Sequence, residues 1–320
     1  MQEIIENILK SGEWVAIVLS LDLFSSIKNT LKNYALDKTN REEFILDDDS
    51  VNFIRNNSNR DKLSVCNKPK VIRKFLDVIG KNVSKEDFDN ISRNLAVVKI
   101  NSFFNDSVPL SDKFSNFYRN PDHSIYYSFS YALSHELLHA ASSLPYVYGY
   151  SLVGFDHCMF VNNSWNGIGR GINEGYTELL ASRYFNHNLV CGYYELVKIV
   201  KLLECFFEDP KDMQHLYFNA NLLGVIKQLE KYATHEEALQ IITETDKLCN
   251  YNNNLTLGLI LSTKLQVELY QIFSRCDDRE KVEEFRKKVC SNLIVSAILN
   301  GKKFKLERDN PYNSTFDKKK

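Results

Sequence analysis

The sequence predicts an α+β protein that is predominantly helical. Apolar residues recur at helical spacing through nearly all of the chain after residue 193. The first 120 residues instead mix short apolar segments with Asn-rich and Asp-rich breaks, and 44% hydrophobic residues can fill a sizeable core. We therefore expect a mixed N-terminal part over 1–120, a central core over 121–192, a helical subdomain over 193–305 and a tail over 306–320.

Short elements are predicted in the N-terminal part. Apolar spacing favours helices over 22–36 and 70–80. A third helix is predicted to begin at Ser84, because Ser84 and Asp87 resemble a capping box. The run "LAVVKI" over 95–100 is expected to be a strand.

The central core is predicted to hold two helices separated by a glycine-rich excursion. The first helix is expected over 123–143, stopped by Pro145. Between 146 and 172 glycines and short apolar runs predict a hairpin or an irregular strand pair. The second helix is expected over 173–186.

The last part is predicted to be helical throughout, and its apolar stripes are interpreted as core packing. Thr234 and Glu237 form a predicted capping box. The helical segments are expected at 193–207, 213–232, 234–248, 255–273 and 277–299.

The net charge and the spacing of the cysteines limit which binding partners and which cellular compartment are expected. Forty basic and 41 acidic side chains leave a net charge of −1, so no global field attracts nucleic acid or an anionic membrane. The seven cysteines include no C-x-x-C pair, which favours reduced thiols over a disulfide framework. The start lacks the basic end of a signal peptide. We expect a soluble, cytoplasmic protein without nucleic-acid or membrane partners, and its oligomeric state stays open.

The segment "HELLH", residues 135 to 139, carries the strongest chemical signal. His135 and His139 lie four apart, so on a helix both imidazoles project from one face and can bind one ion. Glu136 lies about 100° around the helix, where it can reach a water on that ion. Independent placement would produce only about 0.02 such matches in this chain. The alternative is the polar side of an ordinary amphipathic helix.

A second acidic pair lies downstream in "NEGYTE". Glu174 and Glu178 are again four apart, so one carboxylate can bind a metal while the other holds a ligand imidazole by its second nitrogen. Gly175 is expected to let this helix approach the first one closely. The alternative for this pair is a solvated helix face with favourable charge placement near the helix start.

These two motifs resemble the pattern of the gluzincins, the thermolysin and neprilysin type of zinc metallopeptidase. The resemblance covers residues 123 to 186 and implies a zincin-like catalytic core binding one zinc ion per chain. It further implies that His135, His139 and Glu174 bind zinc, that Glu136 is the general base, and that Glu178 and Asn173 support the ligands. Two departures are the 34 residues between His139 and Glu174 and a glutamate, Glu178, in place of the usual aspartate.

The predicted function is hydrolysis of peptide bonds, with a peptide or protein as substrate. Candidate donors to the developing oxyanion are His157, Tyr148 and Tyr176. The resemblance further implies that an edge strand, for which "LAVVKI" is the candidate, aligns an extended substrate. The alternative is a helical binding or regulatory protein with a structural zinc or a degenerate peptidase site. A fourth protein ligand such as His157 would favour the structural zinc.

Overall fold

The computed structural model describes residues 49, 51, 70–102, 116–127, 133–146, 149–161, 164–186, 193–251 and 255–299. Within these ranges the fold is α+β and predominantly helical, as predicted. The predicted helix over 22–36 and the predicted tail over 306–320 lie outside the described residues.

Two helices open the main described part, α1 (Lys70–Ile79) and α2 (Lys85–Ala96). The Ser84 hydroxyl oxygen accepts a hydrogen bond from the Asp87 backbone N–H at 3.0 Å, so the predicted helix start is confirmed. The strand expected over 95–100 begins later, at β1 (Lys99–Ser102). The strand begins later because Leu95 belongs to the last turn of α2, where its side chain is fully buried.

The first sheet contains β1, β2 (Phe117–Arg119) and β3 (Ser124–Tyr127) in the order β1-β3-β2. β1 runs parallel to the central strand β3, and β2 runs antiparallel to it. The predicted helix over 123–143 is therefore wrong in its first part. Isoleucine and tyrosines form β3, since β-branched and aromatic side chains favour a sheet, and the described part of helix α3 covers Leu133–Ser142.

The glycine-rich excursion forms a second sheet with three antiparallel strands. The predicted strand pair is thus extended by a third strand, and the strands are β4 (Tyr150–Val153), β5 (Asp156–Val161) and β6 (Ser164–Ile168). Helix α4 (Arg170–Phe185) follows at once. It begins at Arg170, three residues before the predicted position. The preceding residue is Gly169, whose φ of 91° suits glycine because the left-handed region disfavours other residues.

The C-terminal part is helical as predicted, but two long predicted helices are each broken into two. Ala220, at a φ of 51°, and the N-cap Asn221 end one helix and start another, and a turn at 290–292 does the same further on. The Thr234–Glu237 capping box is present. The helices are α5 (Tyr194–Leu203), α6 (Pro210–Phe218), α7 (Leu222–Leu229), α8 (His235–Asn250), α9 (Leu255–Phe273), α10 (Arg279–Val289) and α11 (Leu293–Leu299).

One continuous cluster of buried apolar side chains extends from Ile72 in α1 to Val295 in α11. Helix α3 lies inside this cluster, with Leu137 and Leu138 no more than 2% exposed. Burial of each such leucine contributes about 1.5–3 kcal/mol to stability, so α3 is held rigidly. The position of α3 matters because this helix carries the two histidines of "HELLH".

None of the helices in the described ranges combines the length and the apolar character needed to cross a bilayer.

Candidate metal centre

Helix α3 presents His135 and His139 on one face, as their spacing predicts. Both side chains are buried, and their ring centroids lie 4.7 Å apart. Their Nε2 atoms approach each other to 3.0 Å. Two imidazole nitrogens this close must share a proton or a cation.

Helix α4 brings Glu174 to the same point. Its Oε2 lies 3.4 Å from Nε2 of His135 and 3.6 Å from Nε2 of His139. His135, His139 and Glu174 form the cluster of potential metal ligands found among the described residues. The geometry that the "HELLH" and "NEGYTE" spacings required is thus present.

The separations in this cluster fit a zinc ion. Ligand atoms 2.0–2.1 Å from a tetrahedral zinc lie about 3.3 Å from one another. The three observed separations are 3.0, 3.4 and 3.6 Å. Two imidazoles and one carboxylate are also a donor set that zinc accepts in catalytic sites.

The second nitrogen of His135 is held by Glu178. Nδ1 lies 2.9 Å from Oε2 of Glu178, a carboxylate that is completely buried. Because a carboxylate only accepts, Nδ1 carries the hydrogen and donates it. In the neutral imidazole, the lone pair of His135 is therefore on Nε2, directed into the cluster.

The second nitrogen of His139 faces two polar groups of α4. Nδ1 lies 3.3 Å from the side-chain nitrogen of Asn173 and 3.5 Å from the hydroxyl of Thr177. The Thr177 hydroxyl donates to the Asn173 carbonyl at 2.7 Å and lies 2.7 Å from the Tyr217 hydroxyl. Its oxygen can therefore accept from His139 when Nε2 of that histidine binds a metal ion. Asn173 is held in turn by the backbone N–H of Phe155, which donates to Oδ1 at 3.1 Å.

The carboxylates around the two histidines favour positive charge on the imidazoles or between them. Burial alone would raise the pKa of Glu174, but the two histidines hold it well below its usual value. Burial would likewise lower the pKa of His135, but its hydrogen bonds to Glu174 and Glu178 raise it to about 10. The buried carboxylates therefore stabilise positive charge at this point, either as a proton on an imidazole or as a metal ion.

Glu136 lies beside the cluster rather than in it. Its side chain is buried, and burial raises its pKa above the usual value against the opposing effect of His135 and His139. The backbone N–H of Tyr118 donates a hydrogen bond to the Glu136 carboxylate, which acts to lower its pKa. The edge strand β2 therefore lies next to this carboxylate. Of the predicted "LAVVKI" strand, Lys99 and Ile100 lie in β1 at the opposite edge of the described sheet, so β2, and not β1, is the described edge strand next to Glu136.

Comparison of the chain with models of protein families, with curated proteins and with solved structures finds no match.

The predicted oxyanion donors do not join the cluster where the structure describes them. Tyr176 is fully buried and packs against the rings of Phe155 and Tyr217, so it cannot reach a substrate. His157 is also fully buried, and its Nε2–H donates to the Ala220 carbonyl at 2.8 Å. Tyr148 lies outside the described residues.

Gly175 permits a different close approach from the one predicted. A Cβ at this position would lie 2.9 Å from Cβ and 3.0 Å from the carbonyl oxygen of Leu196. The glycine thus admits α5 against α4, whereas the histidine-bearing helix α3 packs on another face. A local sequence pattern indicates that a glycine allows another element to pack closely, but it does not identify that element.

Sequence reasoning missed Tyr193 and Thr177. The Tyr193 ring stacks on His135 with centroids 5.6 Å apart and planes within 9°. The charge of Glu174, followed by burial, raises the pKa of the Tyr193 phenol well above its usual value. No local pattern marks Tyr193, but Thr177 could have been found, because it lies one helical turn from Asn173.

Removing the charge of the Glu178 carboxylate is expected to weaken zinc binding by about 10–100-fold, because His135 loses the charged acceptor that fixes its tautomer and raises its basicity. The change Glu178→Gln preserves size, and competition with a chromophoric chelator measures the affinity. Glu236→Gln, at an exposed position in the first turn of α8, is the control and should bind zinc normally. Unchanged affinity in folded Glu178→Gln protein would show that this carboxylate does not support the metal.

Proposed function

We propose that the protein is a zinc-dependent metallopeptidase that hydrolyses peptide bonds with Glu136 as general base. The observation that carries the proposal is the convergence of His135, His139 and Glu174 within tetrahedral ligand spacing. Glu136 is next to this convergence on the same helix. The fold would then be zincin-like over 123 to 186.

The number of ligands supports catalysis over a structural role. Structural zinc sites are closed by four protein ligands, whereas catalytic sites use three and leave one position for water or substrate. Three ligand groups converge in the described part of the chain, and His157, the fourth ligand considered, is held elsewhere. One zinc ion per chain is the expected cofactor.

A zinc ion held by His135, His139 and Glu174 would lower the pKa of a bound water to about 7 and polarise a carbonyl group. Glu136 accepts the proton of the attacking water and transfers it to the amine that leaves when the peptide bond breaks. Burial keeps this proton on a short path between carboxylate and substrate, because it excludes competing solvent. The resulting products are a new carboxylate and a new amine.

The substrate is expected to bind as an extended chain along β2. This strand lies at an edge of the first sheet and borders Glu136, so a peptide added to it would pass the general base. Tyr193 is assigned as a positioning residue that keeps His135 and Glu174 in place. The five cysteines of the described ranges are free thiols, which is consistent with a reducing, cytoplasmic compartment.

Peptide cleavage by the zinc-loaded full-length chain tests the proposal. We expect mass spectrometry of a mixed peptide library to reveal new termini after incubation with the protein. A zinc chelator should abolish them, and added zinc should restore them. A zinc-loaded, folded chain that produces no new termini would contradict the assignment as a peptidase.

A further inference from the structure

Arg170 is the first residue of α4, one helical turn before Glu174. Residues four apart on a helix lie on the same face, and Glu174 directs its carboxylate at the two histidines. Four residues advance a helix by about 6 Å. The base of the Arg170 side chain therefore lies about one helical turn from the candidate metal centre, on the same side of α4.

The backbone on both sides of Arg170 is fixed to α8. The carboxylate of Asp246 accepts hydrogen bonds from the N–H of Gly169 at 3.0 Å and from the N–H of Gly171 at 2.7 Å. Both groups are buried, and Asp246 satisfies two of the free N–H groups at the helix start. Arg170 therefore projects from a rigid anchor, which is what a binding side chain requires.

The guanidinium of Arg170 is exposed and forms no hydrogen bond or ion pair with the residues that the structure describes. Several other arginines of these ranges are paired, such as Arg183 with Glu204 and Arg275 with Glu237. The donors of Arg170 are thus available to a ligand. Exposure of a single arginine is common, so the surroundings decide whether it has a role.

Those surroundings are acidic. Partial burial lowers the pKa of Arg170, but Glu174, Cys249, Asp156 and Tyr193 together raise it. The positive charge of Arg170 in turn acts to lower the pKa of the Asp156 carboxyl and of the Cys249 thiol. His139 also acts to lower the pKa of Asp156. Arg170 therefore places a positive charge beside the carboxylates of Glu174 and Asp156.

We propose that Arg170 binds a carboxylate of the peptide substrate, one or two residues away from the bond that is cleaved. An extended chain advances 3.3–3.6 Å per residue, so one helical turn corresponds to about two residues at most. A guanidinium binds a carboxylate through two parallel hydrogen bonds, which fix the orientation of the carboxylate while the positive charge balances its negative charge. The carboxylate can be the C-terminus of the peptide or an acidic side chain. The inference rests on the proposed peptidase function and specifies its substrate class.

Binding to the zinc-loaded Glu136→Gln chain tests the inference, because this background binds peptide without cutting it. The probes are three fluorescein-labelled pentapeptides of alanine and phenylalanine, measured by fluorescence anisotropy. One has a free C-terminal carboxylate, one is the neutral C-terminal amide, and one is the amide with glutamate as its last residue. We expect at least one carboxylate peptide to bind about tenfold more tightly than the neutral amide.

Adding Arg170→Gln to this background should remove that tenfold preference and change the Kd of the neutral amide less than twofold. Arg279→Gln is the matched control, since Arg279 is also an exposed first residue of a helix, and it should preserve the preference. Preference for the free acid identifies the C-terminus, and preference for the glutamate amide identifies an acidic side chain.

Equal binding of all three probes, or a preference that survives Arg170→Gln, would overturn the role of Arg170. The proposed function fails separately, because it requires new termini from the wild-type chain, which this binding measurement does not involve. Carboxylate preference in a chain that never cleaves peptides would show that Arg170 binds a carboxylate of a peptide ligand and would remove the peptidase assignment.

Discussion

Glu136→Gln is expected to lower the rate of peptide hydrolysis by about 10²–10⁴-fold while the chain keeps its zinc, because a positioned general base contributes that much. Glutamine has nearly the same shape but cannot accept the proton of the attacking water. Glu136 is not among the three potential ligands, so zinc binding should be unaffected. Single-turnover cleavage of a library peptide and metal analysis of the same sample measure the two effects.

The comparison between variants makes this prediction specific. Glu236→Gln carries the same chemical change at an exposed position and should hydrolyse peptide at the wild-type rate. Full activity in Glu136→Gln would assign the base to another group. Loss of both zinc and activity would show instead that Glu136 helps to hold the metal, which its separation from the ligand cluster argues against.

His135→Ala is expected to reduce the zinc content from about one ion per chain to a small fraction of that value. Two ligands cannot hold the ion as three do, and metal binding depends on the complete set. The change also leaves the buried Glu178 carboxylate without its partner at 2.9 Å. Loss of such a hydrogen bond costs about 1–3 kcal/mol of stability, so unfolding is measured alongside metal content.

A histidine outside the cluster provides the control for this loss. His235→Ala removes an exposed imidazole at the start of α8 and should leave the zinc content at the wild-type value. His139→Ala removes the other imidazole ligand without disturbing Glu178, so it separates loss of metal from loss of stability. Wild-type zinc content in folded His135→Ala and His139→Ala proteins would remove the metal-centre assignment.

The sequence predicted the parts of the site that depend on helical period. His135 and His139 share a face of α3, and the acidic pair of α4 shares another, because residues four apart return to nearly the same angle on any α-helix. Helix starts at Ser84 and Thr234 were predictable for a similar reason, since capping involves residues only three apart.

Predictions failed where competing local preferences had similar strength. The segment 124–127 was predicted as helix from its continuity with "HELLH", but it pairs with β1 and β2 as the central strand of a sheet. Its tyrosines and Ile125 fit a pleated surface once neighbouring strands are present on both sides. Partners that lie elsewhere in the chain thus decided its conformation.

The sequence by itself determined which side chains each helix can present together, because that depends only on the rotation and rise of a single helix. Only the tertiary structure decided that Glu174 meets the two histidines across 34 intervening residues, that Tyr193 stacks on His135, and that Gly175 faces α5. These contacts follow from how the buried faces of all the elements pack into one core. Packing is a property of the whole chain, and no local spacing encodes it.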